Sequence, residues 1–442
     1  MTKRSTPPTR APRSRGSAAP VGTLGAILAD PERDAGSGAR PVVAVREQEE
    51  PEYLAAVEER EVARVALTRR GSWHGEWAEL DPASTTVRAG DAPAMRWHAA
   101  RPIVLHGIAA RELPGFADRI GEACALPDRL EEKGGLRRFL AACADELEPA
   151  FQVLPGRAKL FDPERDLERV EIASVAPVGR GRKVDDLWVK SAWLSTFEDD
   201  ASMRLRFAFG RERDDDASGD LLRHRLVADL GARVLPECAL VAANPELAGA
   251  VERLIGERPL FTQPIAYWNA VEGGALFHHD AFQEDEEAAR GPGQLGVCYL
   301  QLAGRTAWLA LSIADLAARV RELAEGFLAG ELPWVHAQLF PDAAARARLA
   351  ELAADEALLA KELAKPACGS LCGLVNRGPE FTAWLADAGH AAILAPGDAI
   401  LLPNHGLSRT AMHSVFCAGD DTAYGLSFAI RADRVLEPSP SS

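Results

Sequence analysis

Between Ser202 and Gly210 the chain alternates strictly, with Met203, Leu205, Phe207 and Phe209 on one side and Arg204, Arg206 and Ala208 on the other. Side chains of a strand point to opposite faces in turn, so this is a strand with one face covered and one half exposed. Residues 184–190 read as a neighbouring strand. Farther on, 266–269 and 273–278 read as two short strands joined by a glycine turn, and 296–311 as two apolar strands around Ala303-Gly304-Arg305. Residues 392–403 form a hairpin pattern with Pro396-Gly397-Asp398 at its turn, and 412–416 with 424–430 make a further pair across Gly419-Asp420-Asp421. Many short strands at this rhythm predict a double-sheet antiparallel barrel, a double-stranded β-helix or jelly-roll.

The helical period appears in two other places. From 51 to about 153 the pattern is mostly helical, as in 53–60 and 136–143, with Trp73, Trp77 and Trp97 and the neighbouring His74 and His98 read as core rather than site. Ser312 with Asp315 reads as a helix start. Ile313, Leu316, Val320, Leu323 and Phe327 then mark one helical face, and Leu349, Leu352, Leu359 and Leu363 mark a second helix that stops at Pro366. The fold class expected is α+β. Its parts are a basic Pro/Ser/Arg-rich disordered tail at 1–45, a mainly helical N-terminal region at 46–180, and a barrel domain at 181–435. A helical insertion at about 312–390 splits the barrel and is suited to a lid or a dimer face.

Within the barrel pattern, Phe277-His278-His279-Asp280 supplies chemistry. On a strand, residues i and i+2 share a face, so His278 and Asp280 can reach one metal while His279 points away. A third ligand must come from a distant strand, and His413 in the apolar run 412–416 is placed to supply it. Two neutral imidazoles and a carboxylate on one side of a ferrous ion leave open positions for a co-substrate and dioxygen. Ligand type constrains the metal without fixing it, and manganese or zinc stay open.

The segment from about Phe261 to Arg431 resembles the JmjC, or cupin-8, branch of the Fe(II)/2-oxoglutarate oxygenases. His278-x-Asp280 is similar to the first metal motif, 301–309 to the strand after it, 396–403 to the turn before the last ligand, and His413-x-Val415 to the last ligand strand. The resemblance implies a cupin-like barrel, Fe(II) held by His278, Asp280 and His413, and 2-oxoglutarate as co-substrate. Where the family offers a lysine to the distal carboxylate of 2-oxoglutarate, this chain has Thr306, with Arg305 beside it turned to the other face. A dicarboxylate needs a cation or several hydroxyl donors. Arg409, Arg431 and Lys190 are the candidate cations, and Tyr267 and Thr306 the candidate hydroxyl donors. The link from Pro403 to His413 is longer than in the family and contains His405, a rival ligand or entrance residue. His413 is preferred because it lies in an alternating apolar strand, whereas His405 sits in an Asn-His-Gly turn.

Bulk properties narrow the setting. With 442 residues and 47% hydrophobic content the chain can bury a large core. No apolar run long enough to span a membrane and no secretory leader pattern is visible, so a cytoplasmic protein is expected. An Arg-rich tail can be a transit peptide, but Pro7, Pro8, Pro12 and Pro20 oppose the helix that such a signal uses. The seven cysteines are sparsely placed and read as reduced thiols, and the one close pair, Cys368 and Cys372, lacks further ligands nearby. A net charge of -15 argues against a nucleic-acid binder. The expected activity is that of a non-haem iron dioxygenase, a hydroxylase acting on a protein or peptide side chain or on a small molecule. The alternatives are a metal-dependent cupin enzyme that does not use 2-oxoglutarate and a non-catalytic cupin-like binding protein.

Overall fold

Fourteen strands carry the described part of the chain. In chain order they are β1 (Ala78–Glu79), β2 (Ile103–Leu105), β3 (Phe151–Val153), β4 (Glu168–Pro177), β5 (Leu187–Leu194), β6 (Ser202–Phe209) and β7 (Pro259–Asn269). Then come β8 (Gly274–His278), β9 (Gly296–Ala303), β10 (Thr306–Ser312), β11 (Ala391–Leu394), β12 (Ala399–Pro403), β13 (Ala411–Cys417) and β14 (Ala423–Ala432). The computed structural model describes residues 78–79, 93–155, 168–179, 187–194, 202–210, 218–270, 274–282, 293–330, 340, 342–377, 381, 385, 390–418 and 421–433. The expected tail at 1–45, the helix at 53–60, and Trp73, His74 and Trp77 lie outside these residues.

The strands form two sheets, and with the helices they make an α+β protein. The larger runs β1-β2-β12-β9-β14-β7-β6-β5-β4-β3 and the smaller β11-β10-β13-β8. Among the described residues β1 pairs with β2 in parallel and the other pairings are antiparallel. No closed barrel is found among them.

The alternation read in β6 has a physical cause on each face. Met203, Leu205 and Phe207 join Leu300, Leu426 and Phe428 in a core that also takes in Leu226, Leu230, Leu247 and Val251 of the helices Leu221–Val234 and Pro245–Ile255. The opposite face of the large sheet meets the small one. Val297, Tyr299, Ile400 and Leu402 pack there with Trp308, Ala310, Ala392, Leu394 and Ala411. The outer face of the small sheet, through Ala307, Leu309, Leu311, Met412 and Phe416, is covered by the helices Ile313–Leu328, Ala343–Ala354 and Glu356–Leu363. Strand β10 is therefore buried on both faces, which is why it reads as a continuous apolar run.

The helical insertion is thus a backing layer for the small sheet. Its first helix starts as expected: Ser312 Oγ accepts from the Asp315 amide at 3.0 Å, and the Asp315 carboxylate receives Arg101 in a fork at 2.8 and 2.8 Å. The described part of the region 46–180 holds a run of short helices from Pro93 to Leu147 and also supplies β1 to β4 to the large sheet. Strands as short as β2 and β3 carry too few residues for a period to show. The turn at 396–398 forms as its residues dictate. Gly397 has φ +94°, and Asp398 accepts from the amides of Ala395 at 2.9 Å and Gly107 at 2.8 Å.

Candidate metal centre

Register brings the two histidines together. β13 lies between β10 and β8, with His413 opposite Ala310 on one side and His278 on the other. His413 shares its face with Ala411 and Val415, which point to the space between the sheets, so its ring is aimed inward. The imidazoles of His278 and His413 lie 4.2 Å apart at their centroids. Asp280 follows the end of β8, and its Oδ2 is 3.6 Å from His413 Nε2. One ligand atom from each of His278, Asp280 and His413 lies within 4.8 Å of the others. His413 is buried and the other two are half-buried.

The charge states suit a cation. Burial, with His278 beside it, pulls the His413 imidazole down to about 3, so it is neutral at physiological pH. Burial alone would push the Asp280 carboxyl up. His413, His278, His279 and Arg204 outweigh that and hold it below the ordinary carboxylate range. A neutral imidazole with a free lone pair and an ionised carboxylate are the forms that bind metal.

Asp280 is held by contacts that are not themselves ligands. Asn404, just after β12, donates its amide to the Asp280 carbonyl at 2.8 Å. His279 turns away, as strand alternation requires. Its Nδ1 accepts from the Ala281 amide at 3.1 Å and its Nε2 lies 3.0 Å from the Ala364 carbonyl, so Nδ1 is the acceptor and Nε2 the donor. This contact ties the end of β8 to the helical insertion. Neither role was legible in the sequence, where Asn404 is one polar residue of a loop and His279 carries only an outward direction.

The structure places the other candidates as follows. His405 is not with the group: its Nε2 lies 2.8 Å from the Trp97 carbonyl and its ring stands edge-on to Trp97. Arg409 is exposed and donates to the His98 carbonyl at 3.1 Å. Arg431 is fully buried and donates to Ser218 O at 3.1 Å, Thr262 Oγ1 at 3.3 Å and Gln263 Oε1 at 3.3 Å. The second placement corrects the sequence reading of Arg431, since a guanidinium already matched to protein carbonyls and side chains has few donors left for a ligand, and the first puts Arg409 on the surface beside His98. Lys190 is half-buried on β5, opposite Arg206 of β6.

Thr306 also differs from the expectation. Its hydroxyl donates to Gln301 Oε1 at 2.6 Å and accepts from Trp308 Nε1 at 2.9 Å. A hydroxyl has one proton to give, and that of Thr306 is given to Gln301. Tyr299 donates to the same oxygen at 3.1 Å, and the Gln301 amide nitrogen donates to Ala303 O at 2.6 Å and Tyr424 O at 3.1 Å. Gly425 makes room for this network, because a Cβ there would lie 2.2 Å from Tyr299 Oη. Tyr267 lies beside it, 6.3 Å from Tyr299 between ring centroids.

Among the described residues the cysteines add no second centre. All seven are free, and burial pushes the Cys368 thiol up to about 12, which keeps it protonated. Among the described residues no helix is long and apolar enough to cross a membrane.

Comparison with known proteins gives little. No family model matches the chain, and no curated protein matches it. Among solved structures, the X-ray structure of E. coli ycfD is similar at 12% identity and a TM-score of 0.19, over 65% of this chain and 51% of that one. The chain thus spans about half the length of that protein. At that score the likeness bears on neither the fold nor the activity.

Proposed function

We propose that the protein is a non-haem Fe(II) oxygenase that takes a 2-oxo acid, 2-oxoglutarate, as co-substrate and hydroxylates a carbon of its substrate. The single observation behind this reading is the convergence of His278, Asp280 and His413, two imidazoles and one carboxylate with their ligand atoms within 4.8 Å. In this reading the two facing sheets are the halves of a jelly-roll, with the metal at one end of the space between them. The donor set fits a ferrous ion: His413 is neutral, Asp280 is ionised, and three protein ligands leave coordination positions for other partners.

When bound, iron would supply the activation of dioxygen at the expense of the 2-oxo acid. The chain's own part is orientation and exclusion of water. β8 and β13 fix the imidazoles by register, Asn404 and the His279–Ala364 contact fix the loop that carries Asp280, and Trp308 packs 5.7 Å from the His413 ring. Apolar residues of both sheets wall the space beside them. The substrate in this reading is a protein or peptide side chain or a small molecule.

A second reading has its own observation. Thr306 stands at the lysine position with its hydroxyl already committed to Gln301, which fits a metal-dependent enzyme that takes no 2-oxo acid. Anaerobic titration of the apo-protein with Fe(II) and then 2-oxoglutarate separates the two. A weak visible charge-transfer band on adding the 2-oxo acid is the expected result. Iron binding with no band would overturn the first reading and leave the second.

A further inference from the structure

With Thr306 and Arg431 engaged and Arg409 exposed beside the His98 carbonyl, a carboxylate beside the metal calls for a further cation. Strand β6 carries one. Ser202 and Arg204 alternate with the buried Met203 and Leu205, and they lie opposite Asn269 and Tyr267 of β7. The Arg204 guanidinium carbon stands 5.2 Å from the centre of the Tyr267 ring. Its Nε is buried without a hydrogen-bond partner among the described residues, and so is Ser202 Oγ. Buried polar atoms are nearly always satisfied, so two orphans on neighbouring positions of one strand face call for a missing partner.

Packed rings connect this place with the metal group. From Tyr267 the centroid distances are 6.3 Å to Tyr299, 4.9 Å on to Trp308, 5.7 Å on to His413 and 4.2 Å on to His278. Arg204 therefore shares the face of Tyr267, which packs against the inter-sheet cluster, and is not out along a solvated strand.

We propose that Arg204, stacked on Tyr267 and flanked by Ser202, receives the distal carboxylate of the 2-oxo acid, in place of the lysine that Thr306 has replaced. This rests on the oxygenase reading given above. A guanidinium on an aromatic face keeps its N–H edge free for a carboxylate, which it can hold through two parallel bonds. The apolar wall of Tyr299 and Trp308 would exclude water from that pair. Arg204 so acts as a specificity residue that selects 2-oxo acids with a second carboxylate.

The test uses the full chain loaded with Fe(II) under anaerobic conditions and titrated with 2-oxoglutarate or with 2-oxopentanoate, which has the same length and a neutral end. The wild type is expected to prefer 2-oxoglutarate by about tenfold to a hundredfold, the loss usual for one charge-assisted pair. Arg204→Met is expected to erase that preference by weakening 2-oxoglutarate alone, with Fe(II) affinity unchanged and Arg204→Lys recovering part of it. Unchanged preference in Arg204→Met would overturn the assignment of Arg204 while leaving the oxygenase reading intact. Loss of Fe(II) binding in both variants would also overturn it, by showing a structural role. A wild type that gives no band with either acid overturns the oxygenase reading, and this inference with it.

Discussion

Two arginines of the large sheet face opposite fates. Arg431 of β14 is fully enclosed and spends its guanidinium on Ser218, Thr262 and Gln263. Arg204 of β6 is half-buried, lies against an aromatic ring and keeps its buried Nε without an acceptor among the described residues. A buried charge whose donors are met by the protein is part of the scaffold, because removing it strands its acceptors. On the proposal made above, the unmet Nε of Arg204 instead marks a guanidinium held for a ligand. The contrast also holds for neutral groups: Thr306 is saturated, whereas Ser202 is not.

The largest effect is expected at Arg431. Arg431→Met should destabilise the fold by about 2–4 kcal/mol, read as a lowered urea midpoint with unchanged slope. A variant as stable as the wild type would mean that the enclosing contacts do not anchor the sheet. His224 sharpens the same region. Its Nε2 lies 2.9 Å from Ser218 O, and burial together with the Arg431 charge pulls it down to about 3 from an ordinary 6.5. Below pH 6.5 the unfolded chain takes up a proton that the folded one refuses until about pH 3, so stability is full above that window and falls as pH drops through it. About 2 kcal/mol should be lost between roughly pH 6.5 and 5 from this residue. Urea titrations at the two pH values should show the slope flattened in His224→Gln. His390, drawn down to about 4 mainly by burial, adds a fall of the same sign.

Smaller effects are expected nearer the centre. Gly425→Ala would set a Cβ 2.4 Å from Tyr299 Cζ and should cost about 1–2 kcal/mol, with a change in near-ultraviolet circular dichroism as the Tyr299 ring is displaced. Arg204→Met should be the mildest, within about 1 kcal/mol of the wild type in stability. A large loss there would place Arg204 with Arg431 among the scaffold residues.

Much of this was legible where local chemistry decides. The face alternation of β6, the Pro396-Gly397-Asp398 turn, the Ser312 helix start and the outward turn of His279 follow from the sequence, because each depends on neighbours a few residues away. The pairing of His278 with His413 could be expected from their residue types and from family likeness, although only register across β8 and β13 brings them together. What stayed hidden depends on distant partners. Arg431 and Arg204 look alike in the chain, two arginines among apolar residues of a strand. Nothing near Arg431 foretells Ser218, and nothing near Arg204 foretells Tyr267. Asn404 was invisible for the same reason, since the carbonyl it holds belongs to Asp280. The strands β2 and β3 were missed because three residues are too few to show a period.

On the proposed function, His278, Asp280 and His413 form one metal centre from which His279 is turned away. Calorimetric titration of Fe(II) into the anaerobic apo-protein, run in parallel on the wild type, His278→Ala and His279→Ala, tests it most directly. One equivalent should bind to the wild type and to His279→Ala, and His278→Ala should bind none. Equal loss in both histidine variants, or binding that survives in both, would contradict the assignment.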